Sequence, residues 1–244
     1  MGTDRFEAHD YYLMDEFLTE EQIMIRSAAR DWLKQDVSPI IEEYYEKGEF
    51  PSQIVPGLGA IGAFGPYIPV EYGGAGLDQI SYGLLMQELE RVDSGVRSTA
   101  SVQSSLVMYP IWKYGTEEQR QKFLPKLASG EWLGCFGLTE PDYGSNPSGM
   151  ISNFTDQGDH YLLNGAKMWI SNAPFAQVAV VWAKDESGRI HGLIVERGME
   201  GFSTPEMHGK HSLRASSTGE LIFDNVKVPK ENLLPGKSGL GAPL

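Results

Sequence analysis

Three short stretches of this sequence combine polar side chains with backbone that regular structure cannot use up. The first is Gly134-Cys135-Phe136-Gly137-Leu138-Thr139-Glu140-Pro141-Asp142-Tyr143-Gly144-Ser145. It opens as an apolar strand, Leu133 to Leu138, and then turns sharply, because Pro141 fixes φ and Gly144 permits φ > 0. Asp142 and Ser145 can bond back to nearby amides, and Thr139 and Ser145 stand as hydroxyls on a loop with spare N–H groups. Such a loop can grip the polar edge of a planar cofactor, a carbonyl or a phosphate; a strand followed by a surface turn fits the same residues. The second stretch, Trp169-Ile170-Ser171, puts an aromatic face beside a hydroxyl at one edge of a sheet, or else is a core-plugging Trp with a capping Ser. The third runs from Glu90 to Ser101. Arg97 and Ser101 are four apart and share a helix face, where a guanidinium and a hydroxyl make a carboxylate clamp. Pairing of Arg97 with Glu90 or Asp93 on a solvated face is the plainer alternative.

The elements that must position these residues change period halfway along the chain. Thr19-Glu20-Glu21-Gln22 reads as a capping box, and the apolar residues from Ile25 to Tyr44 recur at helical spacing, which predicts one long helix ending near Lys47-Gly48. Tyr82, Leu85, Met86, Leu89 and Val92 form a second stripe; Asp93 or Ser94 caps a third helix toward Tyr114, with Pro110 bending or restarting it. Thr116-Glu117-Glu118-Gln119 is a second capping box, opening a helix that stops at Gly130. Gly57-Leu58-Gly59-Ala60-Ile61-Gly62 satisfies G-x-G-x-x-G, but its flanking prolines deny it the strand and βαβ unit that a dinucleotide fingerprint needs.

Beyond Glu131 the runs are of strand length: Leu133–Leu138, Val178–Ala183, Ile190–Val195 and Leu221–Phe223. Asn164-Gly165 predicts a hairpin between Tyr161–Leu163 and Ala166–Met168, and Asp185–Gly188 closes another. The fold class is therefore α+β: an all-helical domain over residues 1–131, an antiparallel β-barrel or sandwich over 132–236, and a linker over 237–244.

A chain of 244 residues with 41% hydrophobic content can bury a sizeable core. Its net charge of −13 disfavours nucleic acid or an anionic membrane surface as partner, since phosphates would be repelled. No apolar run approaches the ~20 residues of a membrane span, and Met1–Glu20 is acidic, without leader or transit character. One cysteine, Cys135, excludes an intrachain disulfide framework and suits a reducing compartment. His208 and His211, three apart with no third ligand in view, do not make a metal site.

Phe136-Gly137-Leu138-Thr139-Glu140-Pro141 with Gly144-Ser145 resembles the flavin-contacting signature of the acyl-CoA dehydrogenases. That resemblance implies FAD as cofactor, held by Phe136, Gly137, Leu138, Thr139, Glu140, Gly144, Ser145, Trp169, Ile170 and Ser171, with Ser145 also touching the CoA moiety. Trp169 would cover one side of the isoalloxazine, and Ser171, in place of the family's commoner Thr, would bond it near N5. Leu89–Ser98 and Ser101–Val107 closely resemble the glutaryl-CoA dehydrogenases. There the matching Arg97 and Ser101 hold the distal carboxylate, Glu90 belongs to the same network, and Ser98 contacts substrate through its backbone.

The implied reaction is FAD-dependent α,β-dehydrogenation of glutaryl-CoA with decarboxylation to crotonyl-CoA, in a homotetramer that passes electrons to an electron-transfer flavoprotein. The compartment would be the bacterial cytoplasm, or the mitochondrial matrix in a eukaryote. The resemblance covers residues 15–244 and implies a further C-terminal helical bundle that carries the catalytic base, so no residue here matches the base, and this chain alone should hold flavin weakly and turn over little. A short-chain acyl-CoA dehydrogenase with a structural Arg97, and a non-catalytic flavin- or CoA-binding chain, are the competing readings.

Overall fold

The computed structural model describes residues 9–244; the reading of Met1–Glu20 as leaderless falls partly on residues 1–8, outside the described residues. The capping boxes form as their sequences dictate. Thr19 accepts from the Gln22 amide at 3.2 Å while Gln22 Oε1 accepts from the Thr19 amide at 3.0 Å, which opens α1 (Glu20–Trp32). The long helix predicted behind it is broken. After α1 the backbone widens into a π segment at Leu33–Val37 and turns at Ser38–Ile40, where Pro39 has no N–H to continue the ladder. A second helix, α2 (Ile41–Lys47), then stops at Gly48 with φ 73°.

Helix α3 (Val55–Ala60) carries the false dinucleotide motif. A 3₁₀ turn at Ser52–Ile54 precedes it instead of a strand, and a Cβ on Gly57 or Gly59 would lie 2.3 Å from Trp32 or from the Ser129 carbonyl. Those glycines serve helix packing. Asp78 caps α4 (Gln79–Val92), and Asp93 caps α5 (Ser94–Ser101) through the Gly95 amide at 2.7 Å. A π segment at Val102–Met108 leads into α6 (Tyr109–Tyr114), with Pro110 in its first turn, and the second capping box starts α7 (Glu117–Ser129).

Seven strands follow: β1 (Gly134–Gly137), β2 (Asn153–Asp156), β3 (His160–Ser171), β4 (Val178–Lys184), β5 (Ile190–Glu196), β6 (Phe202–Ser203) and β7 (Thr218–Pro229). They form one sheet in the order β1-β4-β2-β3-β7-β6, with β5 paired to β4. The sheet is mixed rather than purely antiparallel. β1 runs parallel to β4, Gly134 opposite Val178, because the chain crosses over through β2 and β3 before returning to pair.

The hairpin expected at Asn164-Gly165 does not exist. β3 runs through both residues, and the register slips between Leu163 and Gly165, where Asn164 faces a bulge of Asp224 and Asn225 on β7. Gly165 has φ 138°, and a Cβ there would sit 2.3 Å from Ser152 Oγ, which is why only glycine serves. The turn lies earlier, at Gln157-Gly158, where Gly158 has φ 92° and Asp156 accepts its amide. The Asp185–Gly188 turn forms as predicted between β4 and β5, with Asp185 accepting from the Ser187 and Arg189 amides.

Secondary structure changes type between Ser129 and Gly134, yet the core does not stop there. One buried cluster joins Leu89, Val107, Phe123 and Leu127 of the helices to Val178, Val180, Trp182 and Ile194 of the sheet. Residues 237–244 also dock on the sheet side: Gly239 donates to Ile190, and Ala242 is buried. No helix of the described residues is long and apolar enough to cross a membrane.

Candidate active site

A second irregularity in β3 creates the site's aromatic wall. Register on β7 slips again between Lys167 and Ile170, so Met168 and Trp169 leave the ladder. The Met168 amide donates instead to Thr139 O at 3.0 Å, and Trp169 takes φ 64°. Bulges re-aim side chains. Here the bulge turns the Trp169 ring out, 61% exposed, while Ile170 points into the core. A left-handed backbone at a bulky residue costs about 1–2 kcal/mol, which the paired strand on either side supports.

Trp169 and Ser171 line a cleft of about 610 Å³, whose other wall is the loop Met207–Leu213. None of its lining residues is acidic. Lys210 is no free cation there: its Nζ donates to Leu213 O, Ser216 O and Thr218 Oγ1, and burial pulls its pKa down. Arg214 anchors the same loop to the helical half, donating through Nε to Tyr45 O at 3.0 Å and through Nη2 to Glu46 O at 2.7 Å at the C-terminal end of α2.

The Thr139–Ser145 loop is tied to this strand from beneath. Glu140 is 2% exposed and accepts from the Ile151 amide (2.7 Å), the Ser152 amide (3.0 Å) and Lys167 Nζ (2.8 Å). Lys167, fully buried, also donates to Leu138 O at 3.1 Å. Burial alone would raise the Glu140 pKa, but the Ile151 amide, Lys167 and Ser152 outweigh it and hold the carboxyl below its ordinary value. The Glu140 side chain is therefore spent on structure, and its backbone amide and carbonyl pair with Tyr143 across the turn.

Gly137 is packed, with Leu221 Cδ1 2.8 Å from where its Cβ would be. Phe136, Leu138 and Thr139 are half-buried, and Gly144 and Ser145 are exposed. Cys135 is fully buried with its thiol pushed up to about 12, outside any chemistry at neutral pH. Sequence reasoning singled out neither Lys167 nor Asn172, which packs at the end of β3.

The clamp residues assemble across the α4–α5 junction, with Glu90 near the end of α4 and Arg97 and Ser101 on one face of α5. Arg97 Nε donates to Glu90 Oε2 at 2.6 Å and Nη1 to Ser101 Oγ at 3.1 Å, while Ser94 Oγ donates to Glu90 Oε1. Ser101 in turn donates to the Ser98 carbonyl at 3.1 Å. Ser94 and then Arg97 lower the pKa of Glu90, so its carboxylate stands charged at neutral pH. Arg97 is 34% exposed, and among the described residues Nη2 has no acceptor. The salt bridge expected from the plainer reading is thus present, and the guanidinium still has donors to offer a second carboxylate.

A helical half sharing its core with a mixed sheet, and an exposed indole raised on a bulge beside a hydroxyl-bearing loop, make a platform open to a planar ligand. The acyl-CoA dehydrogenase N-terminal domain matches residues 19–131 and the middle domain of that family matches residues 135–226. The chain belongs to the acyl-CoA dehydrogenase family. It is 40% identical over 237 residues to a glutaryl-CoA dehydrogenase of Desulfococcus multivorans, covering 94% of this chain and 60% of that protein. A short-chain-specific acyl-CoA dehydrogenase of Clostridium acetobutylicum is 39% identical over 235 residues, covering 95% and 62%. A glutaryl-CoA dehydrogenase from Mycobacterium smegmatis, solved in complex with FADH2, superposes with a TM-score of 0.92 at 44% identity, covering 95% of this chain and 60% of that one. The chain spans about three fifths of the length of the curated relatives it matches.

Proposed function

We propose that this chain supplies the flavin platform and the acyl-chain clamp of an FAD-dependent dehydrogenase that acts on glutaryl-CoA. The residues fit FAD: the Trp169 ring is exposed at the mouth of a cleft with no acidic lining, Ser171 stands two residues on, and Thr139 is bonded to the strand at Met168. Bound FAD supplies the acceptor for the hydride that leaves the acyl β carbon. Trp169 covers one face of the ring and keeps water off it, Ser171 donates to the ring's polar edge, and Gly144 and Ser145 present amides and a hydroxyl to the thioester side. Arg97 and Ser101 orient the distal carboxylate, and Glu90 holds the guanidinium in place.

One observation carries the substrate assignment: Arg97 is braced by Glu90 and Ser101 through Nε and Nη1, and among the described residues its Nη2 meets no acceptor. The test is direct binding of glutaryl-CoA and butyryl-CoA to this chain and to Arg97→Met. Losing a charged hydrogen-bond partner removes about 1.5–3 kcal/mol, which is about 10- to 150-fold, from glutaryl-CoA alone. An unchanged preference would make Arg97 structural and favour the short-chain reading, which the 39% identity to a short-chain relative keeps in play. Decarboxylation to crotonyl-CoA, electron delivery to an electron-transfer flavoprotein, assembly as a homotetramer and residence in a bacterial cytoplasm complete the proposal for the whole protein. A chain that bound flavin or CoA without turnover would keep the platform and lack the chemistry.

A further inference from the structure

The two half-sites lie on different elements, and one buried side chain joins them. Asn172 follows Ser171 directly at the end of β3 and is fully buried. Its Oδ1 accepts from Thr99 Oγ1 at 3.2 Å, and Thr99, also fully buried, lies on α5 between Arg97 and Ser101. Its Nδ2 donates to Gly134 O at 3.2 Å, at the start of β1, the strand that leads into the Thr139 loop. The backbone of Asn172 is equally committed: its amide donates to Ser217 O at 2.9 Å and its carbonyl accepts from the Phe175 and Ala176 amides. Asn172 has φ 69°, a conformation that Asn tolerates better than other residues with a side chain.

These bonds converge on a single residue. The hydrophobic core fixes elements to within the tolerance of packing, whereas hydrogen bonds from both ends of one buried amide are directional and restrict the geometry far more. Thr99 is two positions from each clamp residue and therefore faces away from the substrate side of α5. Asn172 is one position from Ser171 and three from Trp169. We propose that Asn172, through Thr99, is a positioning residue that sets the separation between the carboxylate clamp and the flavin platform. This rests on the functional reading above only for what the two half-sites hold; the node itself is a statement about this chain.

The test needs no turnover. Amide hydrogen exchange of the 244-residue chain is compared with that of Thr99→Val, which keeps shape and removes the hydroxyl, and of Asn172→Gly, which keeps the left-handed backbone and removes the amide. Both variants should speed exchange about tenfold or more at Ile170–Ala176 and along α5 together, with β4 and β5 unchanged. Thr99→Ser should restore protection. Unchanged exchange at Ile170–Ala176 in Thr99→Val overturns the proposal, and so does a uniform rise across all protected amides, which would be global destabilisation.

Added FAD separates this from the flavin reading. If the wild-type chain binds FAD, glutaryl-CoA should tighten that binding, and Thr99→Val should abolish the tightening while each ligand still binds alone. Tightening that survives in Thr99→Val overturns the coupling. A wild-type chain that fails to bind FAD sinks the flavin reading and leaves the exchange result to decide the node.

Discussion

Lys167→Met is the perturbation with the largest expected effect on this chain. The Lys167 ammonium is fully buried and contacts Glu140, 2% exposed, at 2.8 Å. Methionine fills the stem's volume, so little packing is lost, but the carboxylate is left in the interior with only the Ile151 and Ser152 amides. Breaking a buried pair from one side costs about 3–5 kcal/mol, and the two surviving amide bonds place this case near 3. That is a large share of the stability of a domain. Urea unfolding at pH 7 with linear extrapolation measures it directly. Lys167→Met combined with Glu140→Leu should lose less than the sum of the single changes, since the stranded charge goes too.

The pH dependence carries the sign. Glu140 has its folded pKa depressed, so its contribution is present above the ordinary carboxylate range and is lost as pH falls through the lowered value. In Lys167→Met the buried carboxyl is instead the group that gains from protonation, and the gap between variant and wild type narrows on acidification. A loss below about 1 kcal/mol at pH 7, or a gap that widens in acid, would refute the claim that this pair holds the loop to β3.

Smaller predictions test other parts of the account. Gly165→Ala should cost at least about 2 kcal/mol in urea unfolding, because its place in β3 requires φ 138° and offers a Cβ only contact with Ser152. Thr116→Ala removes one half of a reciprocal cap and should cost about 1 kcal/mol by the same assay. Trp169→Gly relieves a left-handed backbone under an exposed ring and should leave stability unchanged or raise it by up to about 1 kcal/mol. Cys135 should resist thiol reagents at pH 8 in the folded chain and react on unfolding, which mass spectrometry of labelled protein reads out.

Local signals carried the helices, their caps and the apolar strands into view, since a capping box or a run such as Val178–Ala183 depends on neighbours within a few residues. A local signal with two structural solutions does not choose between them. Asn164-Gly165 suits a tight turn and suits a strand running opposite a bulge equally, and the choice is made by Ser152 and by pairing with β7, far along the chain. The break after Val37 was written in Pro39 and was overridden by an apolar stripe that continues across it.

The clamp was legible because Arg97 and Ser101 are four apart on one helix and Glu90 stands only seven residues before Arg97, across the Asp93 cap. The struts beneath the site were not. Lys167 meets Glu140 across 27 residues and Thr99 meets Asn172 across 73, separations at which no periodicity operates. Glu140 looked like a ligand residue because its loop does, and only the fold shows its carboxylate turned inward.

The platform itself is tested most directly by titrating FAD into the purified chain and following both the flavin absorption band and tryptophan emission. The account predicts saturable binding of one FAD per chain, with quenching that Trp169→Phe largely removes and an affinity that Trp169→Gly lowers about tenfold or more without loss of fold. Saturable binding that is undiminished in Trp169→Gly, or no saturable binding by the folded wild-type chain, would contradict it.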